Sequence, residues 1–110
     1  MSGDNREADA ALQEAAAIRP LSMGLLLRIG ELDLTMGNFD RAAVWLRKAT
    51  TVDPASAEAF YELGLADEGA YEYFSAEKDY QRALALAPTD ERVSASYAHF
   101  RQKLERTQPR

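Results

Sequence analysis

Apolar residues recur along this chain at the three- and four-residue steps of an α-helix, not in the alternation of a strand. Leu26, Ile29, Leu32 and Met36 make one such stripe, and Gly37-Asn38 interrupts it. Ala42, Trp45, Leu46, Ala49 and Val52 make the next, which stops at Asp53-Pro54. Phe60, Leu63, Gly64 and Asp67 repeat the first stripe, with a looser break around Gly69-Ala70. Phe74, Ala76, Tyr80, Ala83, Leu84 and Leu86 repeat the second. Val93, Tyr97, Phe100 and Leu104 then form a single apolar stripe on an otherwise polar segment. With one more helix expected over 4–19, the pattern predicts an all-α chain of about six helices.

The repetition has a fixed period. Pro20, Pro54 and Pro88 are spaced 34 residues apart. Counted back from each, Ile18, Val52 and Leu86 are equivalent, as are Ala15, Ala49 and Ala83, then Leu12, Leu46 and Tyr80, then Ala8, Ala42 and Ala76. Each unit reads as two helices, with the proline just before the next one, where a missing N–H does no harm. Ser22, Ser56 and Asp90 are placed to cap those helices. Gly30 and Gly64 fall mid-helix at equivalent points, where glycine costs about 1 kcal/mol relative to alanine. A close helix–helix approach would offset that cost, with Ala42 and Ala76 as the matching small surface. Leucine at Gly30 or Gly64 should therefore destabilise, and alanine at Gly69 should be mild by comparison. Phe39, Trp45, Tyr73 and Tyr80 would fill the remaining core.

These residues resemble the tetratricopeptide repeat, a helix–turn–helix of 34 residues with the pattern W-x2-L-G-x2-Y, A-x3-F and P. Here the pattern stands as Leu26-x2-Ile29-Gly30-x2-Asp33, Ala42-x3-Leu46 and Pro54, then Phe60-x2-Leu63-Gly64-x2-Asp67, Ala76-x3-Tyr80 and Pro88. Asp33 and Asp67 depart from the usual Tyr, and Tyr71 stands where a turn glycine belongs. The resemblance implies a right-handed α-solenoid of antiparallel helix pairs, one domain over 1–110. Its parts would be a half-repeat helix at 4–19, repeats at 21–54 and 55–88, and a capping helix at 89–107. Asn5 and Asp9 are polar where the full repeats have Phe39 and Ala43, which suits a half-repeat facing water.

Composition narrows the function. A net charge of −5 argues against nucleic acid, whose phosphates need a basic face. The absence of cysteine excludes disulfides, thiolate catalysis and Cys-based zinc sites. No apolar run reaches the roughly 18–20 residues of a membrane span, so no membrane insertion is expected. The Ala-rich stretch 8–17 carries Asp9 and Glu14 and is no signal peptide; a cytoplasmic protein is expected. With one histidine, His99, neither a catalytic triad nor a His-ligated metal centre can be assembled. Asp67, Glu68 and Glu72 lack the spacing of a calcium loop and read as a solvated helix end. Arg101, Lys103, Arg106 and Arg110 read as favourable charge at a helix C-terminus. No enzyme, no cofactor and no metal are expected.

In the resembled family the first helix of each repeat lines a concave groove that commonly binds peptides. Carried over by register, the groove would take Leu27, Arg28, Glu31 and Leu34 from the first helix, with Thr35 beside them. Glu58, Tyr61, Glu62 and Leu65 follow from the second, then Arg92 and His99 from the third, with Ala95, Ser96 and Lys103. Leu27, Leu34, Tyr61 and Leu65 would be exposed apolar groups, and Glu31, Glu58 and Glu62 an acidic rim. Tyr61→Ala should then weaken binding and leave stability nearly unchanged. The carboxylate clamp that holds chaperone tails needs Lys and Asn, then Asn, then Lys and Arg. The corresponding residues are Leu27 and Glu31, Glu62, then Arg92 and Ser96, so a chaperone tail is disfavoured. The expected function is a protein-interaction module binding a peptide or helical segment of another protein. The alternative is an assembly subunit that stacks through its terminal half-repeats, as a homo-oligomer or as a small bacterial secretion chaperone or export-apparatus component.

Overall fold

The computed structural model describes residues 22–107, so the helix expected over 4–19 and Arg110 lie outside the described residues. Five helices follow one another: α1 (Met23–Thr35), α2 (Phe39–Val52), α3 (Ala57–Gly69), α4 (Tyr73–Leu86) and α5 (Glu91–Thr107). The fold is an all-α solenoid in which α1 pairs with α2 and α3 with α4, α2 joins the two pairs, and α5 packs on α4.

Local chemistry sets each boundary. Ser22 Oγ accepts the Leu25 N–H at 3.2 Å and Ser56 Oγ the Ala59 N–H at 3.1 Å. Asp90 Oδ1 accepts the Arg92 N–H at 3.0 Å before α5. The turns inside the two repeats are the same device. Asn38 N–H reaches back to Asp33 O and Glu72 N–H to Asp67 O, both at 2.8 Å. Each requires a left-handed residue after the helix, and Gly37 (φ 77°) and Tyr71 (φ 63°) supply it.

The core is small-on-large packing. A Cβ on Gly30 would sit 2.5 Å from Leu46 Cδ2, and one on Gly64 would sit 2.9 Å from the Tyr80 ring. The partners of these glycines are therefore Leu46 and Tyr80, the large residues of the second helices, rather than Ala42 and Ala76. Those alanines are themselves fully buried, as are Ala49, Ala59, Ala66 and Ala83. Gly69 is a third close approach: a Cβ there would overlap the Phe39 ring, so the expectation that Gly69→Ala is mild is corrected. Trp45, Tyr80, Phe100 and Val93 are the large buried groups.

Several stripe residues are not core. Leu32 and Met36 are 58% and 60% exposed, because the face of α1 that meets α2 and α3 is Leu26, Gly30 and Asp33. Val52 and Phe74 also face outward, Phe74 beneath the Lys78 ammonium at 4.6 Å. Asp67 is buried, not a solvated helix end. Arg47 of α2 donates to it at 3.2 Å, tying the first repeat to the second.

Candidate functional site

The first helices of the repeats share one side of the molecule. α1 touches α3, and α3 is tied to α5 by contacts between positions 34 or 35 residues apart. Arg92 Nη2 donates to Glu58 Oε2 at 3.0 Å, the Tyr61 hydroxyl and Ser96 Oγ share a hydrogen bond of 3.1 Å, and Lys103 Nζ donates to Glu68 Oε2 at 2.9 Å. This spacing is the repeat length, or one residue more, so the pairs link neighbouring turns of the solenoid.

Between these helices lies a cleft of about 560 Å³. Leu34, Leu65 and His99 line it, with Glu68, Ala95, Ser96 and Lys103. Phe39, Gly69 and Tyr80 line it too, although register alone gave them to the core. Tyr80 donates its hydroxyl to Glu68 Oε1 at 2.7 Å, and burial together with that carboxylate holds the phenol protonated above its ordinary range. Lys103 and Arg101 do more than compensate a helix end. Lys103 crosses to Glu68, which raises its ammonium pKa, and Arg101 donates to the Tyr97 hydroxyl at 3.3 Å.

The remaining groove candidates gather at the other end. Arg28 and Glu31 are exposed on α1, and Glu58 is half-buried on α3. Leu27, Leu34, Tyr61 and Leu65 are half-buried rather than exposed. Leu27 and Leu34 pack against the buried Ala42, Ala43, Leu46, Leu63 and Ala66, and Tyr61 and Leu65 against Ala76, Tyr80 and Phe100. Tyr61 also lies 6.5 Å from the Tyr80 ring, with the Arg92 guanidinium 5.4 Å from its own centroid. It is thus part of the core, and its removal must cost stability. Arg92, bonded to both Asp90 and Glu58, is held more firmly cationic than usual, and Asp90 is held below the usual carboxylate range chiefly by its bond to Arg92.

Glu62 departs furthest from the sequence reading. It is 4% exposed, so it is not a rim residue, and its Oε2 has no hydrogen-bond partner among the described residues. Glu31, Glu58 and Glu62 each present a carboxylate oxygen within 4.8 Å of the others. Burial, then the charges of Glu31 and Glu58, push the Glu62 carboxyl up to about 8. The cause is crowding of three acids from two adjacent helices. The signal available in the sequence was the i, i+4 pair Glu58 and Glu62 opposite an acidic α1.

A tetratricopeptide repeat profile matches residues 24–56, the span of α1, α2 and the start of the next repeat. The chain is a small tetratricopeptide repeat (TPR) domain. It is similar to the type IV pilus assembly protein PilF of Pseudomonas aeruginosa, at 35% identity over 74 residues. That match takes in 67% of this chain but 29% of PilF, so the chain spans under a third of that relative. The fold is shared with MamA from Desulfovibrio magneticus RS-1, at a TM-score of 0.78 and 23% identity over 94% of this chain and 58% of that one. It is shared also with the first TPR of Spaghetti (RPAP3) bound to HSP90 peptide SRMEEVD, at a TM-score of 0.76 and 20% identity, covering 94% and 82%. No helix of this TPR domain is long and apolar enough to cross a membrane, among the described residues.

Proposed function

We propose that this TPR domain is a protein-interaction module that takes a peptide or helical segment of a partner along the wall of α1, α3 and α5. The observation that carries this is the cleft itself: Leu34 and Leu65 form an apolar floor, and His99, Ser96 and Lys103 form a polar edge. A peptide-bound structural neighbour of the same fold supports the reading. The crowded acids at the far end make a terminal carboxylate a poor ligand here, and a segment with apolar anchors and Lys or Arg a good one. Ala95 is exposed on the cleft wall, so Ala95→Arg fills the cleft without touching the core. It should weaken a peptide selected against the wild-type domain at least about tenfold, equivalent to about 1.4 kcal/mol. Unchanged binding, with loss instead on Lys48→Glu on the outer face of α2, would move the site to the convex side.

A second reading has its own observation. Beyond α4 and α5 a further cleft, of about 410 Å³, is lined by Tyr73, Phe74, Glu77, Lys78, Gln81 and Leu104. A following second helix of a repeat would lie there, between α4 and α5, so this end suits stacking on another repeat. The similarity to a pilus assembly protein supports such an assembly role. Phe74→Ser should abolish any concentration-dependent oligomer seen by light scattering while sparing peptide binding. An oligomer that survives it would remove this reading.

A further inference from the structure

The cluster of Glu31, Glu58 and Glu62 has a property that peptide binding does not require. Two of its carboxylates are solvent-accessible, but the third, Glu62, is 96% removed from solvent and leaves Oε2 without a donor (4% exposed). A buried carboxylate oxygen with no donor is costly unless a cation or a proton meets it. Nearby positive charge is limited to Arg92, which reaches Glu58 Oε2 but is not bonded to Glu62. The three ligand oxygens lie within 4.8 Å of one another, so an ion seated between them at about 2.3–2.6 Å could reach all three. The donors are all carboxylate oxygens, with no imidazole or thiolate, which selects hard cations and disfavours zinc or copper.

We propose that Glu31, Glu58 and Glu62 form a binding site for one hard divalent cation of the calcium or manganese class. Glu62 is the inner ligand, Glu31 closes the site from α1, and Glu58 contributes the oxygen that Arg92 leaves free. Water completes the shell on the exposed side. Because Glu31 and Glu62 come from successive repeats, the ion would clamp α1 to α3 and stiffen the groove wall. The site stands on the geometry of these three residues alone, so its failure and the failure of the peptide-groove reading are separate results.

The test uses the whole chain and the metal alone. Calorimetric titration with CaCl2 and with MnCl2, at constant ionic strength held with KCl, should show saturable binding at one site, with a dissociation constant of about 0.1–1 mM for so open a shell. Glu62→Gln and, independently, Glu31→Gln should weaken it at least about tenfold. Arg92→Gln, which removes a competing cation, should tighten it severalfold. Glu91→Gln, on an exposed residue outside the cluster, should change nothing. Mn2+ should broaden the amide resonances around Glu31, Glu58 and Glu62 before all others, and Ca2+ should raise the melting temperature of the wild type but not of Glu62→Gln. Glu31→Gln keeps the test decisive if the Glu62 variant folds poorly, since Glu31 is exposed. Absence of saturable binding of both ions up to about 10 mM, or binding that both glutamine variants leave unchanged, overturns the proposal and leaves the acids to a basic side chain of a partner.

Discussion

Tyr71 holds a backbone conformation, φ 63°, that Gly37 holds without cost at the matching turn. A side chain in that region costs about 1 kcal/mol or more, and Tyr71 is 78% exposed, so burial of its ring returns little. Tyr71→Gly should therefore raise the melting temperature by a few degrees, after the entropy of a freer unfolded chain and the lost edge contact with Tyr73 are subtracted. A drop on thermal melting would show that the Tyr71–Tyr73 contact outweighs the strain. Gly30→Leu and Gly64→Leu should each lower stability by about 1–3 kcal/mol or more, because Leu46 and Tyr80 already occupy the space. Gly69→Ala should be destabilising too, through the Phe39 ring. Combined with Phe39→Leu its cost should shrink, and additive costs in a double-mutant cycle would remove that contact from the account.

At the scale of elements, α5 behaves as a lid on the second repeat. Val93 and Phe100 are buried, and Phe100 stacks on Tyr80 and Tyr73 at 5.4 and 5.9 Å between centroids. Deleting 90–106 would expose that aromatic cluster, and the 1–88 fragment should aggregate on size-exclusion chromatography; a soluble fragment with cooperative melting would mean that α5 is dispensable. Tyr61→Ala should now lower the melting temperature as well as affect binding, since it removes the hydrogen bond to Ser96 and the ring beside Tyr80. Tyr61→Phe isolates the hydroxyl and should have the smaller effect.

Across the whole molecule, two acids give stability an unusual pH dependence. Asp79 is pushed up to about 8 by burial and by its hydrogen bond and charge interaction with Asp67, against the pull of Arg47. Glu62 is raised to about 8 as well. Both lose their proton near the ordinary values of 3.8 and 4.5 when the chain unfolds. Between those values and about 8 the folded state binds more protons, so stability falls as pH rises through that window. Asp90, held below 3.8, acts in the opposite sense and weakens the fold only at lower pH. In metal-free buffer the melting temperature should thus be higher near pH 5.5 than near pH 8, by about several degrees. Asp79→Asn should flatten the slope. An equal slope in the variant would place the dependence elsewhere.

The repeat unit was legible in the sequence because a solenoid writes each contact at a fixed period: Gly30 and Gly64, Leu46 and Tyr80, Ser22 and Ser56 occupy the same places in each copy. Helix type, turn position and the stacking helix α5 follow from that periodicity together with capping. The wall of first helices was legible for the same reason, and its cross-links at Glu58–Arg92 and Glu68–Lys103 could have been read as opposite charges one repeat apart. What periodicity cannot convey is depth. Leu32 and Met36 fit the helical stripe of α1 yet face outward, whereas Asp67 and Glu62 are polar yet buried. Burial depends on which neighbouring helix covers a position, and that depends on the angle at which the pairs stack, a property of the assembled solenoid. The same angle brings Phe39 against Gly69 and gathers Glu31, Glu58 and Glu62 within reach of one ion. Those contacts join residues 30 or 31 apart, a step outside the repeat, and only the folded chain sets it.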